Sequence, residues 1–289
     1  MIQCDHILLT RFNLPSKGYE SYIRAAPEWL EHRVKLFNKY CLPSILAQTS
    51  KSFRWLIYFD PASPAWLLDL IKEHQAKGYY VAKFREEVPR EILMADMAGL
   101  FPDRHAILLT TSLDNDDALA IDFVARLQSS LQTHGAFVYF FENGVIKSPK
   151  GVFERYDPNN AFPSVSDRWE NGLTAWSDWH TRLAGLASPV RIGGAPGWLQ
   201  VIHDRNVSNR VRGRLARIAP ARALFPGMLD DVAPPSFLEI FLDRTIGHPL
   251  RETRDRIVVV AKAVLFRLGG KQYIDRARRL IRFARRKAM

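Results

Sequence analysis

The sequence lacks the features of a membrane-spanning or disulfide-stabilised protein. Its 289 residues include only two cysteines, Cys4 and Cys41, which fit neither a disulfide framework nor the spacing of a cysteine-ligated metal site. No apolar run approaches the ~20 residues that a transmembrane helix needs. Asp5 and His6 stand where a secretory signal would have basic residues. We therefore expect a globular protein in a reducing compartment, the cytoplasm.

The sequence also lacks internal repeats, and most of it lacks an excess of positive charge. The net charge is +11, but residues 251–289 alone contain thirteen Lys or Arg against three acidic residues. A second basic run spans residues 210–222. This distribution predicts a mildly acidic body, residues 1–209, followed by a basic and mainly helical extension, residues 210–289.

Strand and helix patterns alternate over the first 120 residues. Short apolar runs predict four strands, at residues 6–12, 53–60, 79–84 and 105–114, and amphipathic patterns predict helices at 27–48 and 63–78. Further along the chain we predict a helix at 119–133, a hairpin at 135–147 that turns at Asn143 and Gly144, an irregular segment at 156–196 and a strand at 197–206. Strands that alternate with helices predict an α/β fold with a mainly parallel sheet flanked by helices.

Each of the four predicted strands ends in polar or charged residues. Arg11 follows the first, Asp60 the second, Arg85 the third and Asp114 the fourth. Because ligands of such sheets gather at the carboxyl ends of the strands, these residues predict a single binding crevice. The alternative is that strand ends are polar because they meet solvent.

The stretch LDNDD places Asp114, Asp116 and Asp117 within four positions. Carboxylates with a diphosphate are typical ligands of Mg²⁺ or Mn²⁺, whereas a calcium loop needs a glycine that this stretch lacks. The other interpretation is a helix N-cap, in which Asp116 or Asp117 caps a helix that begins near Ala118. A cap would explain one carboxylate but not three.

Five segments in this order, HILLTRFN, LFNKYCLPSILAQ, FRWLIYFD, TTSLDNDDAL and GWLQVIHDRNVSN, resemble the bacterial family of rhamnosyltransferases within the glycosyltransferases of GT-A fold. The resemblance covers residues 7–209 and implies a catalytic domain at 1–209, with a donor half at 1–120 and an acceptor half at 121–209. It implies transfer of a sugar from a nucleotide-diphosphate donor, with dTDP-rhamnose as a candidate, to a glycan or lipid-linked acceptor in surface polysaccharide synthesis. It also implies Mn²⁺ or Mg²⁺ held by Asp114, Asp116 and His203.

The resemblance further implies roles for residues around the crevice. Thr10 and Arg11 would meet the nucleotide, Asp60 its base, and Asp114 the donor ribose. Arg85 or Arg90 would neutralise phosphate, unless both are surface residues.

The base that deprotonates the acceptor would be Asp178, with Asp167 as its competitor. Trp169, Trp176 and Trp179 either stack on acceptor sugars or fill a loop-rich layer.

Two features leave other functions open. Residues 251–289 read as a basic amphipathic helix, which would lie on an anionic membrane on its cytoplasmic face or pack on the catalytic domain. We expect no nucleic acid partner because no binding module is recognisable, although arginine-rich segments bind phosphate backbones without one. A nucleotidyltransferase would share the sheet and the carboxylates, but TRFNLPSKG is a poor version of its Gly-rich loop.

Overall fold

The computed structural model describes residues 2–15, 28–203 and 210–257. The strands in these residues are β1 (Asp5–Arg11), β2 (Arg54–Phe59), β3 (Val81–Phe84), β4 (Ile107–Ser112), β5 (Ala118–Leu119), β6 (Phe137–Phe141), β7 (Asn143–Ser148), β8 (Gly151–Tyr156), β9 (Ser164–Arg168), β10 (Ser188–Ile192), β11 (Trp198–Val201) and β12 (Arg214–Leu215). The helices are α1 (Trp29–Leu36), α2 (Leu42–Leu46), α3 (Ala65–Ala76), α4 (Arg90–Ala98), α5 (Phe123–Ser129), α6 (Ala219–Leu224) and α7 (Phe237–Leu242). There are also two π-helical turns, Phe37–Cys41 and Asp243–Gly247, and a 3₁₀ turn, Leu183–Gly185, and residues 248–257 are helical. None of the helices in the described ranges has both the length and the apolar character needed to cross a bilayer.

The main sheet has seven strands in the order β10-β6-β9-β4-β1-β2-β3. The strands β4, β1, β2 and β3 are parallel, whereas β9 runs antiparallel between β4 and β6. In β1, Leu8 packs with the helices on one face, and Ile7 and Leu9 pack with α4 on the other. Burial on both faces explains the unbroken apolar runs of these strands. The predicted mixed, mainly parallel sheet flanked by helices is confirmed.

A second sheet has the order β12-β8-β7-β11-β5, and it shows that the predicted hairpin at 135–147 is wrong. Its two halves, β6 and β7, belong to different sheets, and the hairpin of this region joins β7 to β8. Gly144 is a site of close packing, because a Cβ there would lie 2.0 Å from the ring of Trp198. Gly144 of the Asn-Gly pair therefore allows β7 and β11 to pack closely against each other.

The segment predicted to be irregular, 156–196, contains β9 and β10. The sequence of β9 shows no apolar pattern that would predict a strand, because its buried residues include serines that are hydrogen-bonded to other side chains. Ser164 Oγ lies 2.7 Å from Thr111 Oγ1, and Ser166 Oγ lies 3.0 Å from the hydroxyl of Tyr139. The helix α4 also had no counterpart among the predicted elements.

The strand β12 lies beyond residue 209 and pairs with β8 through Arg214 and Leu215. The second sheet thus includes residues from both sides of the predicted domain boundary. Of the predicted basic helix at 251–289, residues 251–257 are helical. Residues 258–289 lie outside the described part of the chain.

Candidate active site

The acidic turn lies at the carboxyl edge of the main sheet, directly after β4. The turn is closed by a hydrogen bond from the Asp117 amide to the Asp114 carbonyl, 3.3 Å long. Oxygens from Asp114, Asp116 and Asp117 all lie within 4.8 Å of one another. The chain then enters β5, and the next helix begins only at Phe123. The N-cap interpretation is therefore wrong, since no helix starts at Ala118.

Asp116 is buried between two positively charged or polarisable groups. Arg33 of α1 forms an ion pair with its carboxylate, and Nε2 of His203 lies 3.1 Å from its Oδ2. Burial alone would raise the pKa of Asp116, but the hydrogen bond with His203 and the charge of Arg33 outweigh it and lower that pKa. His203 follows β11 and contacts Asp116, whereas Asp114 groups with Asp116 and Asp117, so Asp116 is the residue that links the predicted ligands Asp114 and His203.

Asp117 has the opposite electrostatic environment. It is 2% exposed, and its Oδ1 accepts a 2.8 Å hydrogen bond from the Val201 amide. Burial and the neighbouring charges of Asp116 and Asp114 raise its pKa well above the usual range. The surroundings of Asp117 therefore disfavour a further negative charge in the turn, and a divalent cation would relieve this because clustered carboxylate oxygens suit Mg²⁺ or Mn²⁺.

Three residues that the sequence argument did not assign support the turn. Asn115 donates a 2.6 Å hydrogen bond to the Phe12 carbonyl and accepts one of 3.1 Å from Arg33. Nε2 of His32 lies 3.3 Å from Nδ1 of His203. His32 and Arg33 are adjacent on α1. In the sequence they are simply two polar residues side by side in an amphipathic helix, and this pattern does not distinguish them as site residues.

The predicted nucleotide-binding residues divide into two groups. The side chain of Thr10 is fully buried and accepts a 3.0 Å hydrogen bond from Trp55 Nε1, so it lies in the core and not in the crevice. Arg11 is exposed at the end of β1, with its guanidinium 4.1 Å from the ring centre of Trp176. Asp60 follows β2, where its Oδ1 accepts a 2.7 Å hydrogen bond from the Ala62 amide.

The two arginines considered for phosphate have partners elsewhere. Arg85 forms a two-pronged pair with Asp96 of α4, with distances of 2.7 and 3.2 Å. Arg90 donates to the carbonyls of Asn171 and Gly172. Both therefore serve to attach α4, although Arg85 lies at the carboxyl edge of the sheet.

The residues predicted near the acceptor are split between the two edges of the sheet. Trp176 packs on Tyr58 and donates a 3.1 Å hydrogen bond to Ser112 Oγ, which holds its segment at the carboxyl edge. Asp178 lies two residues further on, with its Oδ1 2.7 Å from the Trp179 amide. Trp179 is 72% exposed.

Trp169 and the competing base Asp167 lie at the opposite edge. Trp169 donates to Asp5 at the start of β1, and Asp167 is buried opposite Leu108 at the start of β4. The three tryptophans therefore do not form one cluster, and Asp167 is remote from the acidic turn.

The fold and the acidic turn define a mixed α/β protein with a candidate metal site at the carboxyl edge of its main sheet. The chain belongs to the family described as "Putative rhamnosyl transferase", whose model matches residues 5–215. This membership confirms the family resemblance and makes the chain a member of a glycosyltransferase family. The match includes every predicted site residue. No curated protein matches the sequence.

The solved structures that match the chain include sugar transferases. TarS from S. aureus matches with a TM-score of 0.42 and 10% identity, over 69% of this chain and 37% of that one. TarS 1–349 in complex with UDP gives 0.42 and 11%, over 69% and 61%. The "putative nucleotide-diphospho-sugar transferase" from Desulfovibrio desulfuricans G20 gives 0.37 and 10%, over 70% and 83%. The likeness is loose, and family membership rests on the family model.

Proposed function

We propose that the chain is a metal-dependent glycosyltransferase that takes a sugar from a nucleotide-diphosphate donor. Rhamnose from dTDP-rhamnose is the first candidate, and the acceptor is a glycan or a lipid-linked glycan in surface polysaccharide synthesis. The supporting observation is the convergence of Asp114, Asp116 and Asp117 oxygens within 4.8 Å, at the sheet edge where such folds bind ligands. The free cysteines Cys4 and Cys41 suit a cytoplasmic enzyme.

The acidic turn would hold the metal through Asp114 and Asp116, with His203 as the third ligand. A bound Mn²⁺ or Mg²⁺ would act as a Lewis acid on the donor diphosphate, where negative charge develops as the sugar leaves. Arg33 adds a permanent positive charge beside the same carboxylates and screens their mutual repulsion.

The donor nucleotide would lie along the carboxyl ends of β1 and β2, between Arg11 and Asp60. Arg11 is exposed there, and its stacking on Trp176 limits the positions that the guanidinium adopts. Thr10 would contribute indirectly, because its hydroxyl positions Trp55 beneath this edge.

The acceptor would approach from the segment around Trp176. Asp178 would remove the proton of the attacking hydroxyl in an inverting reaction. The ring of Trp179 is 72% exposed and offers an apolar face for a sugar. The bond between Trp176 and Ser112 ties this segment to the end of β4, from which the acidic turn begins.

Thermal unfolding with nucleoside diphosphates, with and without Mn²⁺, tests the proposal. A ligand at about a hundred times its Kd stabilises the folded state by about 2.7 kcal/mol, which corresponds to a rise in Tm of several degrees. We expect this rise for dTDP with Mn²⁺, and a smaller one for UDP and GDP. Asp116→Asn should lose the Mn²⁺-dependent part, whereas Asp69→Asn, on the exposed face of α3, should keep it.

The same preparations should show Mn²⁺-dependent hydrolysis of dTDP-rhamnose, which Asp116→Asn abolishes. If none of the nucleotides raises the Tm of the parent protein in the presence of Mn²⁺, the proposal of a nucleotide-sugar donor is refuted. If only UDP stabilises the protein, the proposed transferase function stands, but dTDP-rhamnose is wrong as the donor.

A further inference from the structure

The C-terminal helical segment, defined as residues 237–257, turns its apolar side chains toward solvent. It comprises α7, the π-helical turn Asp243–Gly247 and the helical residues 248–257. Seven large apolar side chains in it are between 45% and 79% exposed: Phe237, Leu238, Phe241, Leu242, Ile246, Leu250 and Ile257. Leu238, Leu242, Ile246 and Leu250 follow one another at intervals of four, so they form a continuous row along the segment. We call these seven residues the apolar row.

The contacts of this segment with the rest of the protein are largely polar. Asp243 accepts a 2.8 Å hydrogen bond from the Leu215 amide, and Arg251 donates a 2.9 Å hydrogen bond to the Gly213 carbonyl. These two side chains also pair with each other at 2.7 Å. The guanidinium of Arg251 further packs over the ring of Phe153. A surface helix normally turns its apolar side to the core. Here Ile240 packs on the core beside the ion pair, whereas the seven residues of the apolar row face solvent.

The charge of the chain that follows the apolar row indicates what covers it. Within residues 237–257 the four arginines are balanced by four acidic residues, Glu239, Asp243, Glu252 and Asp255, so the segment itself has no net charge. The chain that follows, residues 258–289, adds ten Lys or Arg and one Asp by sequence. A second copy would add its own ten basic residues from 258–289, and the two sets of positive charge would repel. An anionic bilayer is apolar in its interior and negative at its surface, so it satisfies both features.

We propose that the apolar row is a docking surface for an anionic lipid bilayer, with the basic residues around and after it contacting the lipid headgroups. Six of the seven side chains precede residues 251–289, the region that charge alone predicts as membrane-binding, and only Ile257 lies within it. The proposal concerns attachment and does not depend on transferase activity. Attachment of this kind would bring the crevice close to a lipid-linked acceptor.

Co-sedimentation of the full chain with vesicles tests this docking. The probes are vesicles of phosphatidylcholine alone and of phosphatidylcholine mixed with phosphatidylglycerol. The parent protein should bind the anionic vesicles, more weakly at high salt, and bind the neutral ones less. For the variant Leu238→Ser/Ile246→Ser/Leu250→Ser, the partition coefficient for anionic vesicles should be lower than that of the parent by about tenfold or more. Because these side chains are exposed, its Tm should stay close to that of the parent.

A matched variant removes three exposed apolar side chains from elsewhere, Leu46→Ser/Ile92→Ser/Leu186→Ser, and should bind vesicles like the parent. Three results would overturn the proposal. The parent fails to bind anionic vesicles, the row variant binds them as well as the parent does, or the parent is a dimer that the row variant converts to a monomer. Mn²⁺-dependent nucleotide binding, measured on the same samples, reports separately on the proposed transferase.

Discussion

The guanidinium of Arg33 forms an ion pair with the carboxylate of Asp116, one of the two aspartates that we propose as metal ligands. The pair is largely shielded from solvent, with 16% of the Arg33 side chain and 8% of the Asp116 side chain exposed. Arg33 also bonds Asn115 within the same turn. A residue of α1 thus compensates part of the charge that the acidic turn accumulates after β4.

Replacing Arg33 by Ala should destabilise the protein by about 2–4 kcal/mol, because one partner of a shielded ion pair is lost and Asp116 stays behind. Mn²⁺ should restore part of this loss, since a bound cation would neutralise the same carboxylates. The measurement is urea unfolding with and without Mn²⁺. Arg168→Ala is the comparison, because its pair with Glu170 is exposed and should contribute under about 1 kcal/mol. Equal losses for both variants would contradict a structural role for the Arg33 pair.

The adjacent aspartates Asp116 and Asp117 should respond to the same substitution with opposite signs. Asp117→Asn keeps the oxygen that accepts from the Val201 amide and removes a buried carboxyl group whose ionisation is opposed by burial and by the charges of Asp116 and Asp114. We expect this variant to be more stable than the parent at neutral pH without divalent cations, because the unfolded chain ionises Asp117 more readily than the folded chain does. Asp116→Asn loses its pair with Arg33 and should be less stable. Thermal unfolding of both, with the metal removed by a chelator, decides the point. Destabilisation by Asp117→Asn would mean that the charge of Asp117 is compensated.

Much of the main sheet was predictable because its strands are buried on both faces. Leu8, Leu56 and Leu109 sit in runs whose apolar character is almost continuous, and their spacing along the chain leaves room for crossover helices. The position of the acidic turn followed from the same argument, since polar residues after parallel strands share one edge. The family resemblance predicted Asp114, Asp116 and His203 as metal ligands; in the structure Asp114 groups with Asp116 and Asp117, and His203 contacts Asp116.

The remaining features depend on contacts between residues far apart in the sequence. Ser164 and Ser166 form a strand because Thr111 and Tyr139 provide their hydrogen-bond partners, and no local pattern contains that information. The sequence around Gly144 predicted a turn, but in the structure the absence of a side chain at Gly144 makes room for the ring of Trp198. Arg33 was indistinguishable from other charged helix residues until α1 was placed beside the acidic turn.

His6 should make the protein lose stability as the pH falls from about 6.5. It is buried in β1, within 2.9 Å of Thr111 Oγ1, and burial lowers its pKa to about 3. Below pH 6.5 the unfolded chain therefore binds a proton that the folded chain excludes, which costs about 1.4 kcal/mol per pH unit until the folded pKa is reached. Above pH 6.5 the group has no effect on stability.

Urea unfolding at pH 7 and pH 5 measures this contribution. In His6→Asn the loss of stability between the two pH values should be about 2 kcal/mol smaller than in the parent. His134→Asn, at an exposed loop position, provides the matched control and should change little. An unchanged pH dependence in His6→Asn would show that His6 is protonated in the folded protein.

Gly144→Ala should be among the most damaging single-atom additions in the chain. Its Cβ would lie 2.0 Å from Trp198 Cδ2 and 2.1 Å from Cε2, and this ring cannot retreat freely, because it stacks on Phe162 and donates to the Phe141 carbonyl. Either β7 separates from β11, or the tryptophan leaves its site. We expect a loss of about 3 kcal/mol or more, as overpacking of a buried contact does at its upper range. In Gly185→Ala the new methyl meets no atom within 4 Å, so its effect should stay within about 0.5 kcal/mol. If both variants unfold at the same urea concentration, the contact between β7 and β11 is looser than described, and the position of His203 after β11 loses its support.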